Sequence, residues 1–263
     1  MESHSLRPED YRVGYVSTTS VELAAASEMR DEEHPELPYN PNDVNIYTLG
    51  QIGRHKVAIA CLPSGQYGTN SAATVAIRMK SNFPATRFGL MVGVGGGAPG
   101  SADPSAEHGG IVQYDSRTAT ASGFQRKGFL NAPPLILLDA LGKLRATHLR
   151  QNSKVSEHLA VLDRLPQFQR ASAGPDKLFT PNIHSHLVVR APRESPFIRS
   201  GIARDPFSAG LGNVLCFEME VGDLMNGSPC VVIRGICDYS DTHKNKSCPG
   251  WITSAEGARV VVR

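Results

Sequence analysis

Residues 69–97 read TNSAATVAIRMKSNFPATRFGLMVGVGGG, and the two ends of this stretch follow different patterns. Ala72, Ala73, Ala76, Ile77 and Met79 are good helix residues at helical spacing, so the spacing predicts a helix over Thr69–Asn82. Residues 87–94 are instead a short apolar, β-rich run that ends on Gly95, Gly96 and Gly97, which predicts a strand emptying into a glycine loop. The same order occurs at the front of the chain. There RVGYVS (12–17) reads as a strand and SVELAAASEMR (20–30) as a helix capped by Ser20. Strands alternating with helices imply an α/β fold with a largely parallel central sheet.

Outward from these units the pattern continues with interruptions. Pro35, Pro38 and Pro41 make 31–43 a loop, and 44–49 and 56–62 read as two strands joined by a short hairpin at 51–55. Residues 109–114 form a further strand candidate, and 132–150 a helix with Pro133 and Pro134 near its first turn, continuing helically through 151–165. Residues 165–204 are rich in proline and arginine and offer only 187–190 as a strand. After them, 214–217 and 230–237 read as buried strands that bracket a helix over about 218–225.

The 263 residues suffice for one substantial core, so a single domain over 1–263 is expected. A net charge of +2, from 27 basic and 25 acidic residues spread along the chain, argues against nucleic acid and anionic membrane as partners and for a small ligand. No apolar run approaches the roughly 20 residues of a membrane span. Residues 1–10 hold Glu2, His4, Arg7 and Glu9 without an apolar stretch, so a cytoplasmic chain is expected. Cys61, Cys216, Cys230, Cys237 and Cys248 contain no Cys-x-x-Cys pair and are expected to be reduced and mostly buried.

Three features lie where predicted strands end: Glu22, the run from Gly93 to Gly97, and the pair of motifs FEME (217–220) and RGICD (234–238). In open α/β sheets ligands bind outside the carboxyl ends of strands, so carboxylates and bare backbone placed there form a candidate site. Each also has a plain structural reading. Glu22 is then a solvated first-turn residue, Gly95 to Gly97 a tight turn, Glu218 and Glu220 an exposed helix start, and Asp238 a turn cap. Gly93 to Ala98 fits Gly-x-Gly-x-x-Ala, but it follows a late strand and meets Pro99, which argues against a dinucleotide fingerprint. His184 and His186 lack a third ligand and read as surface loop, so neither a metal nor a cofactor is expected. Arg190, Arg193 and Arg199 read as solvated loop arginines.

Taken together, VGYV (13–16), VELAAA (21–26), GQYGTNSAA (65–73), GLMVGVGGGAP (89–99), VLCFEMEVGDLMN (214–226) and VIRGICDYSDTHKNK (232–246) resemble the nucleoside phosphorylase and nucleosidase superfamily. In detail they are similar to its fungal branch, found in multidomain proteins with NACHT or ankyrin modules. The resemblance implies a three-layer sandwich, with helices on both faces of a mixed, largely parallel sheet. It implies a purine nucleoside or nucleotide as ligand, cleavage of its N-glycosidic bond, and a homo-oligomer. By the same resemblance Met219 and Glu220 bind ribose, Asp238 protonates the purine, Glu22 activates water, and Gly95, Gly96 and Gly97 let backbone approach the ligand.

Bacterial-type phosphorylases set an arginine and a serine around the glycine run to hold phosphate, whereas the matching places here are Met91 and Val94. An apolar pair cannot bind a dianion and Glu22 repels one, so hydrolysis is expected over phosphorolysis. Residues 100–109 and 199–214 depart from the superfamily pattern, and no terminal helix follows 257–263. The domain is accordingly expected to carry internal deletions and an incomplete C-terminus. The alternative function is a non-catalytic nucleoside-sensing or interaction domain of a larger protein.

Overall fold

The computed structural model describes residues 5–97, 111–113, 116–120, 123–151, 155–162, 164–169 and 216–239. The expected strand–helix unit opens the fold as β1 (Val13–Ser17) and α1 (Ser20–Glu28). The cap of α1 is Thr19 rather than Ser20. Thr19 Oγ1 accepts from the N–H of Glu22, and the Glu22 carboxylate reaches back to the N–H of Thr19, which makes a reciprocal capping box. A two-residue strand, β2 (Glu32–Glu33), interrupts the proline-rich loop. The hairpin follows as β3 (Tyr47–Ile52) and β4 (His55–Cys61), turning at Gly53, whose φ of 59° suits glycine.

α2 (Thr69–Asn82) has the predicted bounds, and β5 (Phe88–Gly97) runs three residues beyond the predicted strand. Gly95, Gly96 and Gly97 are therefore strand, not loop. They remain extended because neighbours occupy them: β8 (Cys216–Phe217) pairs antiparallel with Gly96 and Gly97, and β9 (Val231–Tyr239) pairs in parallel along the other edge. A short antiparallel pair, β6 (Arg117–Thr120) with β7 (Gly123–Arg126), was not foreseen, and 111–113 is not strand. α3 (Leu135–Arg150) begins after Pro134, and at Gln151 the backbone turns extended, so the helix does not continue. α4 (Val155–Leu159) is a separate short helix. α5 (Val221–Gly227) starts three residues later than expected, with Glu220 at its N-cap. Residues 187–190, His184, His186, Arg190, Arg193 and Arg199 lie outside the described residues.

The main sheet runs β2-β3-β4-β1-β5, after which β8 and β9 both join β5. β4–β1, β1–β5 and β5–β9 are parallel, while β2–β3, β3–β4 and β5–β8 are antiparallel. This is the mixed, largely parallel α/β sheet of the sequence reading. Alternation along the strands divides the core in two. Val16, Ala58, Ala60 and Met91 point to one face, where Val75 and Met79 of α2 and Leu224 and Met225 of α5 cover them. Tyr15, Val57, Ile59, Leu90 and Val92 point to the other, against Ala26 of α1 and Leu137 of α3. Three layers result. Cys61, Cys216 and Cys230 are unpaired thiols, and burial raises all three, Cys230 to about 12. Among the described residues no helix is long and apolar enough to cross a membrane.

Candidate functional site

β5 has two edges. β9 follows one of them from Leu90 to Gly97; on the other, β1 pairs with Phe88 to Val92 and β8 only with Gly96 and Gly97. Between the end of β1 and the start of β8 a notch remains at Gly93, Val94 and Gly95. The Glu22 carboxylate fills it. Its Oε1 accepts from the N–H of Val94 at 2.8 Å, and its Oε2 accepts from the N–H groups of Thr18 and Thr19, both at 2.7 Å. Glu22 is thus not a solvated first-turn residue but 2% exposed, pinned by three backbone donors from two elements.

Opposite Glu22, across the bare backbone of Gly93, stands Arg234 of β9. Its Nη2 donates to Glu218 Oε2 at 2.6 Å and lies 3.4 Å from Glu220 Oε2, while its Nη1 donates to the carbonyl of Val94 at 3.4 Å. The guanidinium is nearly covered, and among the described residues its Nε has no partner. The sequence reading includes Arg234 only as the first residue of RGICD and assigns it no role; its alignment with FEME appears only once β9 and β8 are both set against β5.

Glu218 and Glu220 flank the start of α5. The Glu218 carboxylate accepts from the N–H groups of Glu220 and Val221, at 3.0 and 3.1 Å to the same oxygen that takes Arg234. Glu220 is 4% exposed, so the pair is not an exposed helix start. Among the described residues Glu220 receives the N–H of Met219 at 3.2 Å besides the long contact to Arg234. Burial therefore wins: it raises the Glu220 carboxyl to about 7, against the lowering effect of Arg234 and with the charge of Glu218 adding to the rise. At neutral pH this group is poised between acid and carboxylate. Met219 is 37% exposed beside it.

The backbone of Asp238 pairs with Gly96, next to the same cluster. The register slips there, Gly95 facing Ile236 and Gly96 facing Asp238, so Cys237 is the extra residue of a bulge. The structure thus brings Glu22, Gly95, Gly96, Gly97, Met219, Glu220 and the main chain of Asp238 to one end of the sheet, at the carboxyl ends of β1, β5 and β9. Among the described residues no group of three His, Cys, Asp or Glu side chains forms a metal set.

Gly93 is the sterically demanding glycine of the run. A β-carbon there would stand 2.5 Å from Arg234 Nη1 and 2.9 Å from Glu22 Oε1, both fixed by other bonds. Gly93→Ala is expected to lower stability by roughly 1–3 kcal/mol through this overpacking, measurable as a reduced denaturant midpoint at unchanged m-value. An unchanged midpoint would mean that the two side chains move aside freely.

No known family profile matches the chain. A nucleotide-binding leucine-rich repeat (NLR)-like protein of the fungus Hyaloscypha variabilis is 40% identical over 92% of this chain, and the chain spans 28% of that relative's length. Among solved structures, the Helicobacter pylori 5'-methylthioadenosine/S-adenosylhomocysteine nucleosidase bound to butyl-thio-DADMe-Immucillin-A covers 96% of this chain and 97% of its own, with a TM-score of 0.59 and 15% identity. The futalosine hydrolase of the same organism matches with a TM-score of 0.52 and 16% identity, covering 96% of this chain and 97% of its own. The S-adenosylhomocysteine nucleosidase of Streptococcus pyogenes, bound to 5-methylthiotubericidin, gives a TM-score of 0.54 at 14% identity, covering 96% of this chain and 95% of its own. The chain has the fold of these nucleosidases.

Proposed function

We propose that residues 1–263 form a single domain that binds a purine nucleoside and hydrolyses its N-glycosidic bond. The observation that carries this reading is the convergence of Glu22, Glu220 and Arg234 about the bare backbone of Gly93 at the carboxyl end of the sheet. Breaking a C1′–N9 bond builds positive charge on the sugar and negative charge on the base. A carboxylate is needed on the first side and a proton on the second. Glu220, half-protonated near neutrality, can donate to and accept from sugar hydroxyls, with Met219 under the ring. Glu22 Oε1 and Arg234 Nη1 close the space over Gly93, and Glu22 is the carboxylate that orients the attacking water. Asp238 gives its proton to the leaving purine. Gly95, Gly96 and Gly97 form a wall without side chains along which the ligand lies. A cytoplasmic location and a homo-oligomeric state belong to the same reading.

Turnover is expected to be independent of phosphate. Met91 is fully buried, Val94 is apolar, and Arg234 is held at 2.6 Å by Glu218, so among the described residues no free cation stands beside them to cradle an anion. Incubation of the purified chain with a nucleoside panel, with and without phosphate, checks this by chromatography. Free base and free ribose in both arms are expected, and a ribose 1-phosphate product would refute hydrolysis.

The similarity to a nucleotide-binding leucine-rich repeat-like protein, of which this chain spans 28%, favours a second reading: a nucleoside-sensing or interaction domain that binds without turnover. Ligand binding by calorimetry without release of free base in the same panel would select it.

A further inference from the structure

We infer that Glu218 is a positioning residue: by holding Arg234 on its own carboxylate it keeps Glu220 unclaimed and available to a ligand. This inference rests on the reading of Glu220 as the sugar-binding group.

Arg234 has two buried carboxylates within reach and divides itself unequally between them. Nη2 lies 2.6 Å from Glu218 Oε2 and 3.4 Å from Glu220 Oε2, although Glu220 is the more deeply buried of the two. A short charge-assisted bond is far stronger than one at the limit of hydrogen-bond distance. The cause of the asymmetry is the main chain. The same Glu218 oxygen also accepts from the N–H groups of Glu220 and Val221, which fixes the carboxylate against the start of α5 before Arg234 arrives. Glu220 has no comparable anchor. Its Oε2 receives the Met219 N–H at 3.2 Å, and among the described residues its Oε1 receives nothing. Among the described residues three charged groups face Glu220: Arg234 from β9, Glu218 from the joint before α5, and Glu22 from α1. Without Glu218, Glu220 is the carboxylate among the described residues that already lies within ion-pair distance of the guanidinium. A closed Arg234–Glu220 bond would occupy the oxygens that a sugar diol needs.

Glu218→Gln separates this role from that of a helix cap. Glutamine keeps an amide oxygen to accept the two N–H bonds and removes only the charge. The readout is the carboxyl titration of Glu220 by NMR on ligand-free protein with carboxyl-13C glutamate, assigned by the signal lost in Glu220→Gln. In Glu218→Gln the Glu220 midpoint is expected to fall by about one pH unit or more, because an opposite charge comes closer and a like charge is gone. A cap alone leaves the midpoint where it was, and an unchanged or raised value overturns the inference. Arg234→Lys is a second arm that retains the positive charge and does not depend on the first variant folding. One ammonium held at Glu218 cannot reach both carboxylates, so here the midpoint is expected to rise, and a fall overturns the inference. Since neither titration needs a ligand, a nucleoside panel showing no binding would sink the functional reading without touching this result. Where binding is seen, its pH optimum should move down with the midpoint in Glu218→Gln.

Discussion

Asp238→Asn is expected to lower nucleoside turnover by roughly 10²- to 10⁴-fold while leaving nucleoside affinity nearly unchanged. Asparagine keeps the size of aspartate and most of its hydrogen-bonding shape, and it lacks only the transferable proton. The main chain of Asp238 lies opposite Gly96, immediately after the bulge at Cys237, at the end of the sheet where Glu22 and Glu220 also stand. If Asp238 serves only as a local backbone cap, asparagine serves equally well, because both residues cap effectively. The two roles therefore diverge in rate and agree in stability. Single-turnover kinetics on a variant with wild-type melting behaviour decides between them. Full activity would remove Asp238 from the mechanism.

The second large effect concerns stability. Arg234→Met is expected to cost about 3 kcal/mol, because it strands the Glu218 carboxylate and leaves Glu220 without its nearest cation in a covered site. For a domain of this size that corresponds to a fall in Tm of roughly 6–12 °C. Were the cluster effectively solvated, the loss would stay within about 1 kcal/mol. The pH dependence adds a second check. Glu220 is raised in the folded protein from 4.5 to about 7, so its folding contribution is most favourable below 4.5 and declines as pH rises through about 7. Without Arg234 the ionised form is disfavoured further. The gap between variant and wild type is therefore expected to be wide at pH 8 and narrower at pH 5, where Glu220 takes up its proton. A gap independent of pH would show that the arginine acts through packing alone.

Much of the framework was legible because its elements follow local rules. Thr69–Asn82 has helix formers and no internal breaker, and the short joint between β3 and β4 has room for nothing but a turn. What the sequence could not disclose depends on neighbours. Gly95, Gly96 and Gly97 carry the composition of a loop, and pairing with β9, joined at Gly96 and Gly97 by β8, keeps them extended. Glu22 follows the rule for a solvated acidic residue in a first turn. Its burial comes from Val94, 72 residues away. Arg234 is hidden for the same reason, since its carboxylate partners lie in a separate motif, 14 and 16 residues earlier. The bulge at Cys237 leaves no trace in periodicity, because only Asp238 and Tyr239 of β9 follow it, too few residues to show a change of phase.

The notch in the edge of β5 divides that strand by the nature of its bonds. Up to Val92 it is clamped by β1 and embedded in packed side chains. From the notch onward it ends in three glycines, and on the edge away from β9 it has a partner of only two residues and a side-chain oxygen in place of a strand at Val94. Few apolar contacts hold that second half, and segments of this kind open at lower free energy than the body they adjoin. The domain can thus exchange the amide hydrogens of 95–97 by sub-global opening while those of 88–92 wait for global unfolding.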